Sequence, residues 1–436
     1  MRSRVNDQEL YELAATLLSA SADLNRFLGK KNLPPLSYAS QYPSISLSTE
    51  NAPFHDAKGA IIEAAERIAE LVRGPRDQLV NLSFLHCAPA TLQAINSFKL
   101  PHFVPLAGSI SYDKIAEQVG KNVTGTWVER ILKHAMSFGL FAPGPDNTVA
   151  HNATSSLLAT DPDLESWLYL CTNVAYPAGP KIPEAIESYG YSSEANEAAY
   201  GISLGRKVAQ FERFREPDGQ HLHEMFAKAM RGISAGGAYD IKHAVDGGYG
   251  WDKFGSSLIV DVGGGPGHVS MALAKKYPEL TFEVQDLPET VEVGARNCPE
   301  ELKSRVSFVA HDFFKDQPQH AAKEDQSIAY FARFILHDWS DKYAQKILQP
   351  LASALRPQDT VILNEVVVPE PGELPRDLEK GTHDRDLLML MNLNGRERTL
   401  GAFNDIAQSC TPKLKVKDVF RPALGELSLI EIVLDA

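Results

Sequence analysis

Apolar positions along the chain change period twice, and those changes divide it. From Asp7 to about Leu28, the residues Leu10, Leu13, Ala14, Leu17 and Leu18 recur at helical spacing, and Ile61, Ile62, Ala65, Ile68, Ala69 and Val72 repeat the pattern between Ala57 and Val72. A loop rich in Pro, Ser and Tyr, Pro34 to Pro53, separates them. An amphipathic stripe has to be covered, so residues 1–82 are expected to dock on the next domain or on a second copy of the chain. Residues 83–160 predict helices from Ala88 to Phe98, Ser109 to Gln118 and Thr126 to Ser137, with a turn at Gly120. Two short strands, Leu140–Ala142 and Thr148–His151, flank the turn at Pro143 to Asp146. That is the order of a helix-turn-helix with a wing. Residues 161–254 read as mainly helical, with an apolar stretch from Trp167 to Tyr176 and an amphipathic one from Phe211 to Gly232 whose aromatics and methionines suit pocket lining.

After Gly255 the rhythm becomes one of short β-rich runs alternating with helices. The runs are Leu258–Val262, Thr281–Gln285, Val306–Ala310, Gln326–Ala332 and Thr360–Val367, with helices ending at Lys276, Asn297 and Leu355. Such a βαβ series calls for a parallel, doubly wound α/β sheet. Leu414–Phe420 and Leu427–Leu434, joined by a Pro-Ala-Leu-Gly turn, read as a terminal antiparallel hairpin. Residues 255–436 therefore form the last domain.

Composition removes several classes. A chain with 44% hydrophobic and 23% charged residues can bury a large core. Its 56 acidic against 43 basic side chains leave a net charge of −13, which repels phosphate backbones and anionic lipid. The Thr126 helix offers only Arg130 and Lys133 as cations beside Trp127, Ile131, Leu132, Ala135 and Met136, so the winged segment is expected to pack and shape a pocket rather than read DNA. Cys87, Cys171, Cys298 and Cys410 show no CxxC spacing, which fits a reducing cytoplasmic setting. The opening MRSRVNDQELYEL lacks a signal-peptide core and no eighteen apolar residues run together, so neither nucleic acid nor membrane is an expected partner.

Candidate chemistry gathers at the ends of the predicted strands. SLIVDVGGGPGHVS, Ser257 to Ser270, reads as a strand, a glycine turn and a helix, where missing side chains let backbone N–H groups approach a ligand. From Gly263 and Gly265 a dinucleotide fingerprint requires a third glycine at 268; that position is His268, and the glycine falls at Gly267, after Asp261 at the strand's end. Asp286 ends the second strand and can accept both hydroxyls of a ribose. Asp312 and Phe313 end the third, a carboxylate and a ring suited to an adenine amino group and face. A nucleoside cofactor without pyrophosphate, S-adenosylmethionine, fits. In YFARFILHDWSD, Tyr330 to Asp341, a strand ends in His337-Asp338-Trp339, and a neutral imidazole there could take a proton from a hydroxyl attacking the sulfonium methyl. A phenol with pKa about 10 and a histidine near 6.5 differ by roughly 3.5 units, about 5 kcal/mol. Glu365, ending the next strand, and Glu397, in NGRERT, could fix the tautomer and stabilise the imidazolium.

These motifs, DVGGGPG, EVQDLP, AHDFF, ARFILHDWSD, Glu365 and NGRERT, resemble in order and spacing those of the metal-independent S-adenosylmethionine-dependent O-methyltransferases of the fungal and plant caffeic-acid and flavonoid type. The resemblance runs from about residue 83 to 436. It implies a winged-helix dimerisation domain, hence a homodimer, ahead of a Rossmann-like class I methyltransferase domain. It implies His337 as general base bracketed by Glu365 and Glu397, with no metal. Asp261, Gly263, Gly265, Asp286, Leu287, Asp312, Phe313 and Arg333 would hold the cofactor, Arg333 standing where plant members carry lysine. Asp338, Met389, Asn392 and the helices between 167 and 232 would contact a small phenolic or enolic metabolite. The extra N-terminal helices and the insertion Pro369–Gly381 look fungal. Some fungal members of similar sequence keep the cofactor but catalyse dehydration or pericyclic ring closure, with the sulfonium as a fixed charge. The clusters His383, Asp384, Asp386 and His337, Asp338, Asp341 also raise a metal-dependent variant, though helix capping explains them.

Overall fold

The computed structural model describes residues 8–39, 45–120, 122–320 and 326–435. Asp7, the expected start of the first helix, lies outside them, as do residues 40–44 of the loop that follows. The chain groups into two compact units. The first holds Met1–Pro180, Phe211–Ala235 and Pro375–Asp377, and the second Lys181–Gln210, Gly236–Leu374 and Leu378–Ala436, so the helical stretch 161–254 is shared between them.

In the first unit, helices Glu9–Lys30 and Ala52–Ser83 pack on each other. Leu24, Phe27 and Leu28 are buried against Phe54 and Ala57, with the Phe27 and Phe54 rings 5.7 Å apart. Leu10 and Leu18, members of the expected stripe, stay exposed. The second helix outruns its apolar pattern because Gly74, at φ +71°, and Pro75 only interrupt it. Residues 83–160 contain helices Cys87–Ser97, Tyr112–Val119 and Gly125–Met136 and the strands β1 (Ser109–Ser111), β2 (Ala142–Gly144) and β3 (Thr148–Ala150), paired in the order β1-β3-β2. Ser109–Ser111, expected to be helical, is instead strand, because it pairs with Thr148–Ala150 and the Ser111 hydroxyl caps the helix that follows. The first wing strand starts at Ala142 rather than Leu140, since Leu140 and Phe141 are committed to the core and Phe141 is left-handed. The apolar side of the third helix, Val128, Leu132 and Ala135, is wholly buried with Ile95 and Ile115.

The second unit carries β4 (Leu258–Val262), β5 (Thr281–Asp286), β6 (Val306–Ala310), β7 (Ile328–Arg333), β8 (Thr360–Val366), β9 (Leu414–Phe420) and β10 (Leu427–Leu434). They form one sheet in the order β6-β5-β4-β7-β8-β10-β9, parallel from β6 to β8 and closed by the antiparallel pairs β8–β10 and β10–β9. Side chains alternate between two cores: Val260, Tyr330 and Leu363 face helices Asp341–Ala354 and Leu400–Gln408, while Ile259, Phe282 and Phe331 face Trp251 and Leu273. Both faces being covered, β4 and β8 are buried along their whole lengths, which explains their near-continuous apolar runs. The chain runs β4-β5-β6 outward and returns as β7 on the other flank of β4. The carboxyl ends of β4 and β7 thus meet at the sheet's topological switch point, where open α/β sheets bind ligands. Among the described residues no helix is long and apolar enough to cross a membrane, and all four cysteines are free thiols.

Candidate functional site

On one side of the switch point β4 runs into the glycine turn. Gly263, Gly265 and Gly267 have φ of +69°, +58° and +81°, a left-handed backbone that other residues adopt only with strain. A side chain at Gly263 would strike Ile335 at 2.5 Å, whereas beyond Gly265 the space is open. Asp286 closes the turn: its Oδ2 accepts the Gly265 N–H at 2.8 Å and its Oδ1 the N–H of Leu287 at 2.7 Å. The Phe313 ring lies against the Gly263 position, and Asp312 beside it accepts the Phe314 N–H while its carboxylate is 44% exposed. Glycine backbone, two carboxylates with lone pairs to spare and an aromatic face are what an adenosyl group requires, so these residues fit S-adenosylmethionine. Asp261 is placed differently. It is buried behind the turn, accepts the Ser270 hydroxyl at 2.6 Å, and is lifted by burial to about 6. Arg333 is also engaged, donating to Asn364 Oδ1 and to the Tyr239 carbonyl while lying 5.1 Å from the Phe334 ring centre. Burial pulls it down to about 10.

On the other side stands His337. The strand expected to reach it stops at Arg333, because Phe334 is left-handed at φ +53°, and His337 sits in a 3₁₀ turn, Leu336–Asp338. Its Nδ1 is 3.1 Å from Glu397 Oε1, and its Nε2 is 3.4 Å from Asp338 Oδ1. One donor atom each from His337, Glu365 and Glu397 lie within 4.8 Å of one another, the set of three among the described residues that could share an ion. The clusters around His383 and Asp341 do not converge in this way; Asp341 instead pairs with Arg396 and Arg398 at the start of a helix. Glu365 touches the imidazole only through its field. Its Oε1 accepts the N–H groups of Ile335 at 2.9 Å and Leu336 at 2.7 Å, which pins the turn carrying His337.

Electrostatics shift His337 upward. Burial opposes the charged imidazole, but Asp338, the hydrogen bond to Glu397 and the field of Glu365 together outweigh it and lift His337 to about 10. Burial also raises Asp338 to about 6 and Glu365 to about 7, each restrained by the His337 charge. These carboxylates favour the protonated form of His337 over that of a free imidazole. The 3.5-unit gap to a phenol shrinks almost to nothing.

Several site residues carried no sequence signal. Arg398, fully buried, donates to the carbonyls of Leu336 and Trp339 and to Asp341, clamping the His337 turn from both flanks. An added Cβ at Gly395 would fall 2.3 Å from the His337 carbonyl oxygen. A strap at Ser193–Glu194 holds the same loop, taking the Ser340 hydroxyl, the Tyr343 hydroxyl and the Asn394 amide. Met389 and Asn392 lie on helix Arg376–Leu393, whose exposed N-terminal half carries the pair Lys380–Asp384. Asn392 is buried and Met389 half-buried. In NGRERT Arg398 reads as one more surface charge, like Arg396, and nothing in sequence marks it as interior.

A nucleoside cradle after β4 and a carboxylate-backed histidine after β7 define a Rossmann-like group-transfer enzyme. Residues 197–411 match the O-methyltransferase domain family. The chain is 61% identical to the O-methyltransferase CTB2 of Cercospora beticola, over all of this chain and 95% of that one. It belongs to this family and is an S-adenosylmethionine-dependent O-methyltransferase. Among solved structures, the mitomycin 7-O-methyltransferase MmcR superposes with a TM-score of 0.66 at 21% identity, covering 82% of this chain and 97% of that one. A structure described as a pericyclic reaction enzyme superposes with 0.69 at 19%, covering 97% and 100%. Both share the fold.

Proposed function

We propose that the enzyme methylates a phenolic or enolic hydroxyl of a small secondary metabolite with His337 as the base. The observation that carries this is the His337 Nδ1 contact with Glu397 at 3.1 Å. That bond holds the proton on Nδ1 and leaves Nε2 to face the acceptor. Bound S-adenosylmethionine supplies an electrophilic methyl group. Asp286, Asp312, Phe313 and the turn at Gly263 and Gly265 hold it, with Leu287 beside Asp286; Asp261 and Arg333 keep the strand ends in place. As the hydroxyl is methylated its proton passes to Nε2, and Glu397, Asp338 and Glu365 stabilise the imidazolium. An acceptor that arrives as its oxyanion beside an already protonated His337 gives the same balance. Asp338, next to Nε2, orients the hydroxyl; Met389 and Asn392 line the pocket.

His337→Ala should lower kcat by about 10²- to 10⁴-fold while cofactor affinity, measured by calorimetry, stays within twofold. Undiminished turnover would overturn the assignment of the base. S-adenosylhomocysteine released in step with a one-methyl mass gain separates this reading from pericyclic or dehydrating chemistry on the same fold, in which product forms without consuming the cofactor. The chain works as a homodimer through its first unit, a reading supported by Val72, Leu79 and Phe84, which are 67%, 70% and 63% exposed. A single-chain mass in light scattering would sink it.

A further inference from the structure

Helix Arg376–Leu393 presents Arg385, Met389 and Asn392 on one face, at spacings of four and three residues. Two polar atoms on that face are buried without a partner: Arg385 Nε, a donor, and Asn392 Oδ1, an acceptor. Oε2 of Glu365 and of Glu397, beside His337, are unpartnered as well. Leaving such an atom unsatisfied costs about 1–3 kcal/mol, and several in one region suit a polar ligand that completes them.

An aromatic wall connects Arg385 to the base. The guanidinium lies 5.1 Å from the Tyr239 ring centre, Tyr239 lies 5.6 Å from Phe334, and Phe334 lies 5.2 Å from His337. The charge of Arg385 is already balanced: Glu426 Oε2 accepts from its Nη2 at 2.6 Å and from the Tyr239 hydroxyl at 2.7 Å. A second anion would meet that carboxylate, so the free Nε–H suits a neutral accepting oxygen.

We propose that this wall selects acceptors bearing a carbonyl: the ring system lies along Tyr239 and Phe334, its reacting hydroxyl meets His337, and a carbonyl oxygen on the same framework takes the Arg385 Nε–H. Arg385 is then a specificity-determining residue, and the substrate class is hydroxylated aromatic or enolic ketones, quinones and lactones. This rests on the reading of His337 as the base. A conjugated carbonyl also acidifies the hydroxyl, so the same contact would ease proton loss.

A matched pair of bicyclic phenols tests it, 6-hydroxy-1-tetralone with the ring carbonyl and 5,6,7,8-tetrahydro-2-naphthol without. Arg385→Lys keeps a cation opposite Glu426 and removes the Nε–H. It should lower kcat/KM for the tetralone about tenfold and leave the naphthol within twofold. Because the carbonyl changes the phenol's own acidity, the deciding quantity is the variant-to-wild-type ratio for each. In the wild type loaded with S-adenosylhomocysteine, calorimetry at a pH where both phenols are neutral should show the tetralone binding about tenfold tighter, a result independent of how the variant folds. Equal ratios, or equal affinities, overturn the role of Arg385 alone. Methylation of neither compound overturns the phenolic reading and this one together.

Discussion

Glu397→Gln separates the charge of this residue from its contact. Glutamine keeps an oxygen for the His337 Nδ1–H but removes a negative charge 3.1 Å from it. At an effective dielectric of about 20, unit charges that close attract by about 5 kcal/mol. The retained hydrogen bond and local relaxation return part of that, so the imidazole, now held at about 10, should fall by about 1–3 units. Each unit adds about 1.4 kcal/mol to the mismatch with a phenol of pKa about 10. With roughly half of the mismatch felt in the transition state, the alkaline plateau of kcat should drop on the order of tenfold. The acid limb of kcat/KM should move down by the same 1–3 units, because the variant sheds its resting proton sooner. The variant therefore loses least near pH 7 and most near pH 10. Initial rates of S-adenosylhomocysteine formation across pH 6 to 11, with the imidazole followed by NMR, provide the assay. A loss equal at every pH, with an unmoved midpoint, would show that Glu397 acts only as a structural contact and would refute the reasoning.

Other substitutions test the supports. Asp286→Ala removes the acceptor of two backbone N–H groups and should raise the KM for S-adenosylmethionine about 10- to 100-fold with kcat nearly kept; an unchanged KM counts against it as a cofactor ligand. Gly395→Ala drives a Cβ into the His337 carbonyl, so turnover should fall at least tenfold while calorimetric cofactor binding persists. Arg398→Leu orphans the carbonyls of Leu336 and Trp339, and denaturant titration should show a loss of about 2–4 kcal/mol. Folding takes up a proton at Glu365, which burial lifts from 4.5 to about 7. Its contribution to stability is complete below pH 4.5 and is lost as the pH rises through 7. Glu365→Gln should accordingly flatten Tm against pH in that window in scanning calorimetry, and an unaltered slope would contradict the linkage.

The doubly wound sheet was readable because both of its faces are covered: β4 and β8 are near-continuous apolar runs, and Gly263 marks where β4 ends. The glycine turn, Asp286 and Asp312 could be placed for the same reason, since a strand's end is a position that sequence marks. Short elements whose partners are distant were harder. Ser109–Ser111 is strand because of Thr148–Ala150, nearly forty residues away, and a local helical pattern outweighed that pairing. The strand toward His337 stops early at a left-handed Phe334, a conformation imposed by surroundings and not by phenylalanine. Protonation was the least accessible feature. The upward shift of His337 depends on three carboxylates from three segments of chain, and no spacing rule counts charges in three dimensions.

The parallel pairing of β4 with β7 has a practical consequence. The glycine turn and the loop that carries His337 leave neighbouring strands, whose separation of about 4.8 Å is set by main-chain hydrogen bonds. The backbone, then, is the gauge between the glycine turn and His337, while Arg385, Met389 and Asn392 stand on a helix outside the sheet. Remodelling that helix for a new acceptor should leave the gauge untouched, so altered selectivity and intact methyl-transfer geometry can be engineered separately.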